Sequence, residues 1–415
     1  MKKFISVLLT AALATTMAAG LAACGEKTDG GEKAKYEYDI TVWVGEDMKT
    51  LTETLITDFN TTNTNGIKFN ATVNEQSESN ASGAVLAKPD SAPEIFCFAQ
   101  DQIARLVESK LLASPSASGV SNVKATHTEL AVAAATVGNT VYAYPLTEDN
   151  GYFLYYDKSV ISDEQAGSVE SIVAQCVANN KYFSVDLSGG WYLSSFFYAA
   201  GAKSEWTTND QGKFTKYDDD FNSDKGYIAA QGIYKVSGST RYLPNGKASD
   251  FNAATPAAAV ISGVWDYNTA KTALKENLGI AKLPKYTVGD KDYQLASYLG
   301  SKLLGVTPQD DANKSAALSL LAQHLTGADA QLKRYEQFGW GPSAKAAQEN
   351  AAVKADVALT ALKASATVPQ GQYPANWWSK MSTLGTSIEK SKGSETALKN
   401  ALSVYEQGLV ELIEA

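Results

Sequence analysis

The residues able to do chemistry on a small ligand gather at short junctions that follow apolar runs. Glu46 and Asp47 follow YEYDITVWV, Phe98 ends PEIFCF just before Gln100 and Asp101, and Trp265 and Asp266 follow TPAAAVISG. Each junction pairs flat aromatic surface or its neighbourhood with groups that accept hydrogen bonds, a mixture that suits a sugar, whose ring faces present C–H bonds and whose rim presents hydroxyls. The same acids would also cap helices and complement their dipoles, and Trp265 would sit as readily in a core. A further aromatic pair, Trp377-Trp378 in YPANWWSKM, uses two of the seven tryptophans on neighbouring positions. If a helix begins near Ala375, Trp377 leads the buried stripe Met381, Leu384 and Ile388. Trp378, rotated by about 100°, runs along Ser382 and Gly385, a stripe of small residues with nothing large of its own helix beneath the ring.

Covalent chemistry finds little support. There is no G-x-S-x-G, P-loop, H-E-x-x-H or paired C-x-x-C pattern. The two histidines, His127 and His324, read as structural, the second near the end of the helical run LSLLAQHLTG where the dipole favours it. Asp218-Asp219-Asp220 lacks the remaining ligands of a calcium loop and reads as a solvated turn, so no metal and no cofactor is expected. Two carboxylates suffice for a glycosidase, so composition leaves a secreted carbohydrate-active enzyme open.

The elements that must position these groups alternate. YEYDITVWV is β-branched and alternating and leads into MKTLTETLITDFN at helical spacing; IKFNATV and PEIFCF repeat the theme with the helices after them. Strand, polar junction, helix is the pattern of an α/β sheet, and in such sheets ligands sit beyond the carboxyl ends of the strands. Later helices are read at about 168–180, 191–200 and 223–236, a last short strand in SKLLGVTP, and helices from there to the end. A chain of 415 residues with formal charge −9 suggests two domains, and the acidic balance without a basic stripe excludes nucleic acid as a partner. Cys97 and Cys176 lie in apolar or helical runs and read as buried free thiols.

The chain opens MKKFISVLLTAALATTMAAGLAAC, two lysines before an apolar run and small residues, which reads as a secretion signal over residues 1–23. Leu21-Ala22-Ala23-Cys24 looks like a lipobox, which makes Cys24 a lipidated amino terminus and 24–36 a tether. The expected location is extracytoplasmic, with membrane contact only through the lipid.

In order and spacing, ITVWVGED, APEIFCFAQDQIARLVESKLLASP, VGNTVYAYPLTEDNGYFLYYDKSVI, DLSGGWYLSSFFYAAGA, FNAATPAAAVISGVWDY and GWGPSAKAA together resemble the extracellular solute-binding proteins of ABC importers, nearest the maltose and maltodextrin-binding family. The resemblance implies an α/β, two-lobed, periplasmic-binding-protein-like (type II) fold, each lobe a mostly parallel sheet flanked by helices. It implies a first lobe of 37–146 plus 302–340, a second of 151–298 plus 341–415, and hinge crossovers at 147–150, 299–301 and about 341. It places sugar-stacking rings at Phe98, Trp191, Trp265 and Trp378, and hydrogen-bonding groups at Asp101, Glu46 or Asp47, Asp149 or Asn150, with Gln100 beside them. It implies a monomer that captures maltooligosaccharides and hands them to permease subunits without covalent chemistry. Phenylalanine where tryptophan is usual at 98, and Gly189 where a glutamate is usual, open the alternative of a different oligosaccharide.

Overall fold

The computed structural model describes residues 34–45 and 47–414. The signal segment, Cys24 and Glu46 lie outside the described residues.

Two five-stranded sheets organise the chain. In the first, the order is Ile67–Glu75, Tyr36–Val44, Ile95–Ala99, Lys302–Val306 and Tyr144–Pro145. The first three strands run parallel, because helices Lys49–Thr62 and Glu78–Ala87 carry the chain back between them. Lys302–Val306 and Tyr144–Pro145 pair antiparallel, since they enter and leave through the connections to the other sheet. The second sheet has the order Tyr242–Leu243, Tyr182–Ser184, Ala257–Ser262, Phe153–Asp157 and Leu278–Ala281, again parallel in its first three strands and antiparallel in its last two. Each sheet is therefore mixed, and the parallel character is confined to the half threaded by helices.

Periodicity explains the packing. Helix Lys49–Thr62 buries Leu51, Leu55, Ile56 and Phe59 on one stripe. Along Phe153–Asp157 the side chains alternate between two cores, Phe153 and Tyr155 in one and Leu154 and Tyr156 in the other. Strands absent from the sequence reading are short: Tyr182–Ser184, Tyr242–Leu243 and Leu278–Ala281 of the second sheet, the hairpins Ser204–Thr208 with Phe214–Asp219 and Lys285–Val288 with Lys291–Gln294, and the pair Ser297–Leu299 with Ala366–Pro369. The expected solvated turn at Asp218-Asp219-Asp220 is corrected, for Asp218 and Asp219 end a strand and Asp219 accepts hydrogen bonds from Phe221 N and Tyr405 OH. Cys97 and Cys176 are free and buried. His127 is buried with Nδ1 3.1 Å from Ser343 Oγ, and His324 packs edge-on to Phe59.

Three chain passages join the sheets and are stitched to one another. Asn150 N donates to Gly300 O at 3.0 Å, Gly300 N returns a bond to Asn150 O at 3.1 Å, and Glu148 N donates to Gly341 O at 3.0 Å. A further segment reaches them, for Gln370 N donates to Leu299 O at 3.1 Å. The cleft opens beside these passages, between the two lobes that the sheets define.

Candidate functional site: the cleft between the lobes

A cleft of about 900 Å³ lies at the carboxyl ends of the parallel strands. Asp47, Ala99, Asp101, Gln102 and Arg105 line it from the first lobe; Trp191, Tyr192, Trp265, Asp266 and Trp378 line it from the second. Asn150, Lys302 and Trp340 close it at the hinge.

The second-lobe rings are set by helix starts. Trp191 is the second residue of helix Gly190–Ala199 and stacks on Tyr298, centroids 4.7 Å apart at 29°. Trp378 is the second residue of helix Trp377–Lys390, and its ring lies 5.8 Å from that of Trp191. The two helices approach this closely only because residue 190 is glycine. A Cβ there would stand 2.5 Å from Met381 Cβ and 3.1 Å from Trp378 Cε3. Trp265, in the short turn Val264–Asp266, is 38% exposed, unusual for so large a ring and a sign of a surface kept open.

The paired tryptophans separate as their helical spacing predicts. Trp377, Met381, Leu384 and Ile388 are buried on one face. Trp377 is fully enclosed, stacks on Tyr373 at 4.1 Å and 9°, and donates through Nε1 to Tyr405 OH at 2.9 Å. Trp378 remains partly open to the cleft.

On the first lobe, Asp101 is held between two groups of the second. Its Oδ2 accepts from Trp378 Nε1 at 3.0 Å and its Oδ1 from Gln370 Nε2 at 3.2 Å. Burial raises its pKa, while the Trp378 bond and the Arg105 charge pull in the other direction. Arg105 reaches Ser82 Oγ at 2.5 Å through Nη2, and its other guanidinium donors leave it suited to sugar oxygens. Asp47 adopts φ 67°, a left-handed backbone that turns the strand end out toward the cleft and leaves the residue exposed.

Three sequence expectations are corrected. Phe98 is not a platform, because strand alternation turns it into the core against Phe96, opposite Leu303, where it is fully buried. Ala99, the next residue, faces the cleft instead. Gln100 is a brace: its Nε2 donates to Gln370 O and its Oε1 accepts from Ser301 N, both at 2.6 Å. Asp149 is fully buried in the hinge, with Oδ1 accepting from Thr147 Oγ1 at 2.6 Å and from Lys302 Nζ at 2.8 Å, and Oδ2 accepting from Gly341 N at 2.8 Å. Its neighbour Asn150 lines the cleft and donates to Gln370 Oε1 at 3.1 Å. The departure at Gly189 is filled locally, for Asp186 Oδ1 accepts from Gly189 N at 2.9 Å and caps the turn.

Sequence reasoning missed Trp340, Tyr192, Arg105 and Lys302. Trp340 had a signal: it stands between two glycines after a helix, and Gly339 takes φ 73°, a left-handed cap that swings the chain into the cleft. Among the described residues no His, Cys, Asp and Glu group could hold a metal ion, and no helix is long and apolar enough to cross a membrane.

Residues 54–361 match the family model of the bacterial extracellular solute-binding proteins, most of the chain, and the protein belongs to that family. Members bind solutes and leave them chemically unchanged. No curated protein matches the chain. Among solved structures, one determined with acarbose is 25% identical, with TM-score 0.75 over 90% of this chain and 100% of its own. A maltodextrin-binding protein from L. casei BL23 is 21% identical, with TM-score 0.76 over 91% and 99% of the two chains. The maltose/maltodextrin-binding domain from Bdellovibrio bacteriovorus, bound to maltotriose, is 16% identical, with TM-score 0.73 over 90% and 100%. These likenesses extend across both lobes, and the two-lobed α/β fold is theirs as well.

Proposed function

We propose that this protein captures maltooligosaccharides in the interlobe cleft and delivers them to an ABC permease, as an extracytoplasmic monomer tethered through lipid on Cys24. The observation that carries this reading is the pairing of walls: Trp191, Trp265 and Trp378 on one lobe face Asp47, Asp101 and Arg105 on the other. A sugar between them would be stacked from one side and hydrogen-bonded from the other, so binding would favour a closed pair of lobes that a permease could read. The solved relatives that bound maltotriose and acarbose support the substrate class.

Magnitudes favour an oligomer over a single sugar. If each ring buries ~50 Å² of ligand, stacking contributes on the order of 1 kcal/mol per platform, whereas micromolar affinity requires about 8 kcal/mol. Hydroxyl contacts and additional sugar units must supply the rest. Calorimetric titration with glucose, maltose, maltotriose and longer oligomers tests this: heat is expected from the oligomers and little from glucose. Silence across the series would sink the assignment. The burial of Phe98, the commitment of Asp149 and the absence of an acid at Gly189 favour, as a second reading, an oligosaccharide of different linkage or composition. Binding of such a sugar with none of maltotriose would select it.

A further inference from the structure

We infer that Lys302 and Trp340 form a further subsite on the hinge wall of the cleft, one that takes a neutral or acidic sugar unit and rejects a cationic one. The inference deepens the sugar-capture reading and rests on it. Lys302 opens the strand Lys302–Val306, where the chain returns from the second lobe, and it lines the cleft although only 5% of the residue is exposed. Its ammonium donates to Asp149 Oδ1 at 2.8 Å and stands 4.1 Å from the ring centroid of Trp340 and 5.6 Å from that of Trp265. Both rings line the same cleft.

The orientation of charge decides what this corner can hold. Asp149 is fully enclosed and spends both oxygens on Lys302, Thr147 and Gly341, so the carboxylate faces into the wall and the ammonium faces the ligand. An ammonium has three donors and no acceptor, and one donor is used by Asp149. The donors that remain, beside two indole faces, match a sugar oxygen or a carboxylate. A ligand ammonium beside Lys302 would meet a like charge in a partly desolvated wall. The acid next in sequence to Trp265, Asp266, is drawn toward its own lobe, where Oδ2 accepts from Ala248 N at 3.0 Å and Ser262 Oγ at 2.7 Å. The hinge wall thus presents a donor at the position where sequence alone suggested an acceptor.

Lys302→Met alone would leave Asp149 buried and unpaired, so the test uses the pair Asp149→Asn with Lys302→Met, together with Lys302→Arg. Calorimetry and thermal shift on the whole mature protein compare maltotriose, trigalacturonate and the chitosan trimer. Wild type should bind maltotriose or trigalacturonate and ignore the chitosan trimer. The double variant, with an unchanged circular-dichroism spectrum, should bind the same ligand roughly 10- to 100-fold more weakly, the loss of a charge-assisted hydrogen bond. Lys302→Arg should recover most of that affinity. Trp340→Leu keeps the ion pair and gives a second probe should the double variant not fold, with an expected loss of about threefold. Undiminished affinity in the folded double variant and in Trp340→Leu, binding confined to the chitosan trimer, or no binding of any probe overturns the subsite. Silence with maltotriose alongside Lys302-dependent binding of trigalacturonate would remove the maltooligosaccharide assignment and keep the subsite.

Discussion

The two walls of the cleft solve the same recognition problem by different physics. On the second lobe, rings are laid at the starts of helices and turns and backed by other rings, Trp191 by Tyr298 and Trp378 by Tyr373 and Trp377. On the first lobe and the hinge, polar groups are bound into networks, Asp101 by Trp378 and Gln370, Asn150 by Gln370, Lys302 by Asp149. Apolar contact is non-directional, so a platform needs only support from behind. A buried polar group without partners costs several kcal/mol, so each polar wall residue must be fixed by a second one. An aromatic wall therefore tolerates a change of sugar more readily than a polar wall does.

The largest expected effect tests this division on a single helix. Trp377→Ala removes an enclosed ring, its stack on Tyr373 and its bond to Tyr405, and should cost about 3–5 kcal/mol of stability with only a secondary effect on binding. Trp378→Ala should cost less stability, about 1–3 kcal/mol through the lost Nε1 bond to Asp101, and about tenfold in sugar affinity, since it removes a platform open to the cleft. Denaturant unfolding and calorimetry on both variants read the two quantities. A reversed pattern would mean that the support and the platform have been exchanged.

What was legible in the sequence follows the same division. Helical spacing separates Trp377 from Trp378 because a stripe of Met381, Leu384 and Ile388 is a local signal. Strand–junction–helix units show the α/β class and bring Asp101 and Trp265 to strand ends in the same way. The errors fall where partners are remote. Phe98 and Ala99 differ only in which face of a strand they occupy, and a continuous apolar run such as IFCF carries no alternation to decide it. The resemblance leaves Asp149 or Asn150 as the ligand group, and nothing local decides against Asp149, whose partner Lys302 lies 153 residues away inside a run that reads as an apolar strand. Gln370 ties Asp101, Asn150 and Gln100 together from a segment far from all three in sequence.

The smallest effect separates the lobes by pH. In the second lobe, Asp219 accepts from Phe221 N at 3.0 Å and from Tyr405 OH at 2.8 Å, and burial pushes its pKa up from 3.8 to about 6. The folded state then holds this proton more tightly than the unfolded chain, so its stabilising contribution is present below the ordinary carboxylate range and is lost as pH rises through 6. In the first lobe, burial and the Lys345 charge pull His127 down from 6.5 to about 4. Its contribution is present above 6.5 and is lost as pH falls toward 4. Each shift corresponds to at most about 3 kcal/mol, and between pH 4 and 6 the two act with opposite sign. The contributions of these two groups should therefore largely offset each other across that window. Relative to wild type, Asp219→Asn should tilt the profile toward a rise with pH and His127→Gln toward a decline, each read from denaturant unfolding at half-unit pH steps. Parallel profiles for the two variants would show that the lobes do not carry opposed titrations, and the contrast between them would reduce to the chemistry of the cleft walls.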